Sequence, residues 1–218
     1  MYRRYAIYWA GQGAFADLAA EWLGWDNALG APVTQPEGLA LWTAEPRKYG
    51  FHGTVKAPFR LAEGWDQARL SQAFADLCAH LAPVTLDGLQ MARLGSFLAL
   101  IPRGDTTALQ ALAARVVRDL DPARAPLTEA ELARRRPETL SPRKRALLDQ
   151  WGYPHVMEEF RFHLTLSGAF PAEVLDQIEP RAAAHFGPLP APFVVQDLCL
   201  FGETDTGFHL MARHTLAG

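Results

Sequence analysis

Apolar and polar positions alternate most sharply at two places along the chain. From Tyr49 to Lys56 a period of two puts Tyr49, Phe51 and Val55 on one face and His52, Thr54 and Lys56 on the other. From Phe160 to Ser167 the residues Phe160, Phe162, Leu164 and Leu166 alternate with Arg161, His163, Thr165 and Ser167. Successive strand side chains point to opposite faces, so each stretch predicts a strand with a core face and a polar row; the second spans about Glu158 to Ser167. Helical spacing runs through Phe15, Leu18, Ala19, Trp22 and Leu23 and predicts a helix over Ala14–Trp25. Further helices are predicted from an Asp66 cap to about Leu81 before Pro83, from an Asp105 cap to Leu120, and from Pro171 to His185. Strands are predicted near Tyr2–Trp9, Val84–Leu94, Ser96–Ile101, Pro192–Phe201 and Gly207–His214, with a Pro- and Gly-bearing loop from Asp26 to about Lys48.

Strand, helix, motif strand, helix, strand therefore occurs twice. A duplicated α+β architecture with a pseudo-two-fold axis would bring the two motif strands side by side, so that residues distant in sequence face one cleft. The halves share little identity outside the motifs, which keeps an accidental recurrence open. Between them lies an insert, 121–150, rich in Arg and Lys. Thr128 and Glu131 have capping-box spacing, and Ser141-Pro142 is a cap followed by a first-turn proline, so two short helices are predicted. The functional reading is a basic flap carrying Arg134, Arg135, Arg136, Arg143, Lys144 and Arg145. The bland reading is a solvated insert balanced by Glu129, Glu131, Glu138 and Asp149, and it weighs more because charge runs are most often surface.

Composition narrows the function classes. The formal net charge of −3 disfavours a general nucleic-acid-coating surface, whose affinity accumulates from many Lys and Arg contacts. A small phosphate ester or one end of an RNA remains open as partner. Cys78 and Cys199 lack metal-ligand spacing and sit in apolar contexts, as reduced core thiols do. After Arg3 and Arg4 the apolar run Tyr5–Ala10 is too short for a signal-peptide core or a membrane span, so a cytoplasmic location is expected, with no membrane association and no obligate protein partner.

The candidate chemistry lies in the polar rows. His-x-Thr occurs as His52-Gly53-Thr54 and as His163-Leu164-Thr165, and no other histidine has Ser or Thr two residues later. Two imidazoles supply a proton acceptor and a proton donor near neutral pH, the minimum for breaking a phosphodiester. The Thr54 and Thr165 hydroxyls can donate to non-bridging oxygens, Lys56 or Arg161 can offset developing charge, and Ser167 extends the second row. Tyr8 on the first strand and His155 in Tyr153-Pro154-His155 are candidate cleft residues, whereas Tyr49 and most of the tryptophans read as core. A single strand histidine is usually a hydrogen-bonded structural residue; two in matched settings make that reading weaker. Neither motif brings a Cys or carboxylate with ligand spacing, so neither a metal nor another cofactor is expected.

The paired motifs, their flanks and the duplicated order resemble the two-histidine (2H) phosphoesterase superfamily. Lys48–Phe59 and Glu159–Gly168 look like its bacterial branch associated with phosphonate-metabolism operons. The resemblance implies an α+β fold of two mainly antiparallel sheets with outer helices around a central cleft. It further implies one bilobal domain over 1–218, with lobes of about 1–95 and 96–218, possible strand exchange and the 121–150 insert. The implied activity is metal-independent hydrolysis of a small cyclic or nucleotide-like phosphodiester by His52, Thr54, His163 and Thr165. Gly53 stands where an apolar residue is frequent, which points to close backbone approach at that strand. RNA end processing, on a 2′,3′-cyclic phosphate or a 2′–5′ linkage, and a non-catalytic phosphate-ligand sensor are the alternatives. Which histidine is base and which is acid is left open.

Overall fold

Two antiparallel sheets, one of seven strands and one of two, organise the computed structural model, which describes residues 2–218. In chain order the elements are β1 (Tyr5–Trp9), α1 (Ala14–Leu23), α2 (Ala44–Arg47), β2 (Gly53–Phe59), α3 (Gln67–Cys78), β3 (Val84–Leu86), β4 (Gly88–Leu94) and β5 (Phe97–Arg103). They continue with α4 (Thr107–Asp119), α5 (Glu129–Arg134), α6 (Pro142–Trp151), β6 (Leu164–Thr165), α7 (Ala172–Phe186), β7 (Phe193–Val195), β8 (Asp197–Thr204) and β9 (Gly207–Thr215). The large sheet has the order β4-β5-β6-β2-β1-β8-β9, and β3 pairs with β7 in the small one.

This order has an internal two-fold. About an axis between β6 and β2, β6 corresponds to β2, β5 to β1 and β4 to β8. Cutting the chain at residue 95 separates the repeats in sequence but not in the sheet, because β4 pairs with β5 and β8 pairs with β1. The duplicated order read from the sequence is thus a real symmetry, and its axis runs between the two motif strands.

The two faces of the large sheet differ. Ile7, Val55, Leu98, Leu100, Leu164 and Leu200 pack with Trp22, Leu70, Leu109 and Ile178 from the helices into the main core. Ala6, Tyr8, Ala10, Cys199, Phe201 and Phe208 form a smaller cluster apart from it. A helical cover on one sheet face leaves the opposite face to build a site. Both cysteines are buried and unpaired.

Local chemistry explains the helix starts. The Asp66 carboxylate accepts the Arg69 N–H at 2.8 Å, and Thr128 and Glu131 form the reciprocal capping box. Ser141 accepts the Lys144 N–H, with Pro142 in the first turn. Each such cap is worth about 1 kcal/mol. No helix of the described residues is long and apolar enough to cross a membrane.

Several segments differ from the sequence reading: the run 192–201 is two strands, β7 in the small sheet and β8 in the large one, and α4 starts after Thr106 instead of an Asp105 cap. The 26–48 loop contains α2, held by Arg47, which donates to the Leu23 carbonyl at 2.7 Å and to Gln35 Oε1 at 2.6 Å. The run 84–94 is two strands, because Gly88 at φ 148° turns the chain from the small sheet into the large one. The second motif strand shrinks from 158–167 to Leu164–Thr165, since 157–159 is a 3₁₀ turn entered through Met157 at φ 53°. Burial nevertheless alternates from Phe160 to Leu166. The apolar period reports which side chains are buried, whereas ladder pairing also requires a neighbour in register.

Candidate active site

The site begins with one backbone pairing, in which Gly53 of β2 lies opposite Leu164 of β6 in an antiparallel ladder. The residues on either side must then face each other, His52 toward Thr165 and Thr54 toward His163. All four side chains emerge on the face opposite Leu164, whose side chain is fully buried in the core. His52 and His163 are diagonal neighbours in this arrangement, about 7–8 Å apart, room for a phosphoryl group between their rings. Gly53 is required by the other face: a Cβ there would overlap the Phe162 ring. The close approach expected at this glycine is a side chain of one motif packed on the backbone of the other.

Each imidazole is anchored by a carbonyl two residues back. His52 Nδ1 lies 3.0 Å from the Gly50 oxygen, and His163 Nδ1 lies 2.8 Å from the Arg161 oxygen. A carbonyl only accepts, so Nδ1 carries the proton in both rings and Nε2 is free for chemistry. His52 Nε2 is 3.2 Å from Thr54 Oγ1. Tyr8 lies against the His52 ring with centroids 4.0 Å apart, and Phe97 lies 5.7 Å from the His163 ring. Burial pushes the His52 pKa down to about 4; the Gly50 carbonyl opposes this and the charge of His163 adds to it. Burial thus favours the neutral, proton-accepting form of His52 at pH 7.

A cavity of about 370 Å³ opens beside the pair, lined by Tyr49, Gly50, His52, Phe97 and Thr165 among others. Tyr49, expected in the core, is 40% exposed at this cavity. Gly50 at φ 66° turns the chain before β2 begins, so the period of two does not extend back to Tyr49, although Phe51 remains buried. Phe97 was missed from the sequence. The alternation of β5 buries Leu98 and Leu100 and leaves Phe97 on the site face, but only the folded chain brings its ring to that of His163, two pairs along the β5–β6 ladder from its own partner position. The 26–48 loop braces both motifs, with Asn27 donating to the Phe51 carbonyl at 2.9 Å and the Gly168 N–H donating to the Trp42 carbonyl at 2.8 Å.

The proposed accessory residues separate. Tyr8 is 1% exposed and directly opposite Thr54, so it joins the site. Lys56 does not: it is buried, with Nζ donating to the Val117 carbonyl at 3.0 Å and 3.6 Å from Asp121. Tyr8 pairs with Thr54 but Ile7 pairs with Lys56, so Val55 is an extra residue in the ladder, and this bulge turns Lys56 onto the helix face. Burial lowers the Lys56 pKa to about 8, opposed by Asp121. Lys56→Met is expected to retain activity within about threefold while losing about 1–3 kcal/mol of stability, because the Val117 carbonyl is left without its donor. A loss of turnover comparable to that of a histidine variant would return Lys56 to the site.

Ser167 does line the cavity, but its hydroxyl is committed to the backbone, accepting the Leu98 N–H at 2.9 Å and donating to the Gly168 carbonyl at 2.8 Å. Leu166 and Ser167 both direct their N–H groups to the Leu98 carbonyl, which ends the alternation at this point. The Arg161 guanidinium folds back onto the Glu158 and Phe160 carbonyls, so this residue acts on His163 through its own carbonyl instead. His155 is exposed in its loop, with its ring 5.5 Å from that of Tyr153. Its pKa is lowered by burial and by the charges of Lys144, Arg135 and His163, with Glu159 opposing. Among the described residues, no three His, Cys, Asp or Glu side chains gather as a metal site.

The fold is a LigT-like two-histidine phosphoesterase fold, shared along the whole chain with E. coli LigT solved with NADP+ (TM-score 0.50, 13% identity, 100% of each chain). The chain belongs to the DUF1045 family, described as a protein of unknown function, whose model matches residues 54–211. It is 38% identical to ribose 1,5-bisphosphate phosphokinase PhnN of Janthinobacterium sp. (strain Marseille), over 94% of this chain and 48% of that protein. It is 37% identical to the phosphokinase of the same name from Laribacter hongkongensis (strain HLHK9), over 94% of this chain and 49% of that one. The chain thus spans about half the length of the curated relatives it matches.

Proposed function

We propose that the protein is a metal-independent phosphodiesterase that opens a small cyclic phosphodiester of a sugar. The observation that carries this reading is the Gly53–Leu164 pairing, which sets two Nδ1-anchored imidazoles and two threonine hydroxyls on one face. His52 Nε2 removes a proton from water as the water oxygen attacks phosphorus. The bond from phosphorus to the ring oxygen breaks, and protonated His163 delivers its Nε2 proton to the departing alkoxide. Thr54 and Thr165 donate to the non-bridging oxygens, where charge accumulates. One water is consumed and a phosphomonoester remains.

The relatives' name supports a ribose phosphate as substrate. Opening a 1,2-cyclic phosphate on ribose 5-phosphate at its 2-oxygen leaves ribose 1,5-bisphosphate, the compound named in that phosphokinase activity. A nucleoside 2′,3′-cyclic phosphate is the second reading, favoured by the Tyr49 and Phe97 rings at the cavity.

A panel of ribose 1,2-cyclic phosphates and nucleoside 2′,3′-cyclic phosphates, assayed with excess chelator, tests the proposal. Turnover of a ribose ester is expected, with the acid limb of kcat/KM near pH 4. The sign follows from His52: its lowered pKa keeps the base unprotonated until pH falls to about 4. Loss of turnover on chelation, or an acid limb at the ordinary imidazole value of about 6.5, would count against this mechanism.

A further inference from the structure

The two halves of the duplicated sheet do not give their histidines the same neighbours. Tyr8 of β1 lies opposite Thr54 of the first motif, and Ala99 of β5 lies opposite Thr165 of the second. Because β5 corresponds to β1 about the axis at the Gly53–Leu164 pair, Ala99 is the counterpart of Tyr8. A phenol ring in one half is thus a methyl group in the other. The Tyr8 ring lies against that of His52, with centroids 4.0 Å apart and planes inclined by 33°. The aromatic neighbour of His163, Phe97, stands off at 5.7 Å.

Tyr8 is held from behind. It is buried, with the rings of Phe201 and Phe208 at 5.2 and 5.9 Å in the smaller cluster of the large sheet. Phe208 also stacks on Tyr49 at 5.8 Å, and Tyr49 lies 6.1 Å from His52. The first imidazole therefore abuts a packed aromatic wall, which keeps water from one side of the ring and so disfavours its charged form. Charges near the wall are paired: Arg4, over the Phe208 ring, is held by Glu203 at 2.6 Å, and Glu45, at the cavity, by Lys48 at 2.7 Å. Across the β2–β6 pair stands His163, whose charge also disfavours a second charge on His52.

We propose that Tyr8 is the positioning residue that makes His52 the proton acceptor of the pair: its ring covers the imidazole, and the alanine at the matching place in the second half gives His163 no such cover. This rests on the hydrolytic reading above and deepens it. Duplication supplies two equivalent imidazoles, and one aromatic side chain makes them unequal.

The test reads protonation directly, by NMR titration of the His52 imidazole in the protein without substrate. In the wild type, and in Tyr8→Phe, which keeps the ring, the midpoint is expected near pH 4. In Tyr8→Ala water reaches the ring, and the midpoint should rise to about 6, near the ordinary imidazole value of about 6.5. The ratio of kcat/KM at pH 5 to that at pH 7.5 should then fall about tenfold, while Tyr8→Phe leaves it unchanged. Where Tyr8→Ala lacks a cooperative melting transition, Tyr8→Thr, which suits a strand, is read in its place. An unmoved His52 midpoint in the folded Ala or Thr variant, or an equal rise in Tyr8→Phe, overturns the role of the ring. A midpoint that moves as expected in a protein that hydrolyses no cyclic phosphate supports the cover by Tyr8 and removes the hydrolytic reading. Hydrolysis with a midpoint indifferent to position 8 removes the cover and leaves that reading standing.

Discussion

His163→Asn is expected to lower kcat/KM for cyclic phosphate hydrolysis by about 10²- to 10⁴-fold, the usual contribution of a positioned acid or base, with the melting transition unchanged. Asparagine keeps an N–H that can reach the Arg161 carbonyl, now held by Nδ1 at 2.8 Å, but cannot deliver a proton to an alkoxide. His52→Asn should cause a loss of similar size. Because the two rings act in one step, the double variant should lose little more than either single one. The variants also resolve the roles. Removing His52 should abolish the acid limb near pH 4, since that limb is its protonation. Steady-state kinetics across pH, paired with thermal melts, provide the check; near-wild-type turnover in either purified variant would remove the paired-histidine mechanism.

Gly53→Ala is expected to destabilise the protein by about 1–3 kcal/mol, and Gly53→Val by more, with activity falling in parallel. The mechanism is overpacking at the seam between the motifs. A new Cβ overlaps the Phe162 ring and lies 3.1 Å from Leu164 Cδ2, so β2 and β6 must separate or Phe162 must leave its place. Separation would pull His52 from Thr165 and Thr54 from His163. Denaturant unfolding of Gly53→Ala, Phe162→Leu and the double variant forms a cycle in which the double should recover part of the loss. An unchanged midpoint and rate in Gly53→Ala would show that the ring contact does not hold the seam.

Much of this was written in local pattern. The helix caps at Asp66, Thr128 and Ser141, the burial alternation around both motifs and the duplicated order of elements follow from neighbours within a few residues, so a linear reading reaches them. The misreadings share a cause. Lys56 shares the polar parity of Thr54 but loses its face to a bulge, visible only as a shift of β1–β2 register. Tyr49 shares the apolar parity of Phe51 but loses its burial to the turn at Gly50. Ser167 keeps its polarity yet gives its hydroxyl to the edge of β5. Period-two reasoning holds only inside an uninterrupted strand, and active-site edges are where strands begin, bulge and end.

The sequence by itself determined that two His-x-Thr rows exist, that each has an apolar reverse face and that they recur within a repeated order of elements. Tertiary structure alone decided that the halves meet through Gly53 and Leu164, that burial lowers the proton affinity of His52, and that Tyr8 and Phe97 are the aromatic neighbours of the two imidazoles. The reason is one of range. Alternation and capping are short-range consequences of backbone geometry, whereas register between strands far apart in sequence, and the burial that sets proton affinity, arise only when the whole core has packed.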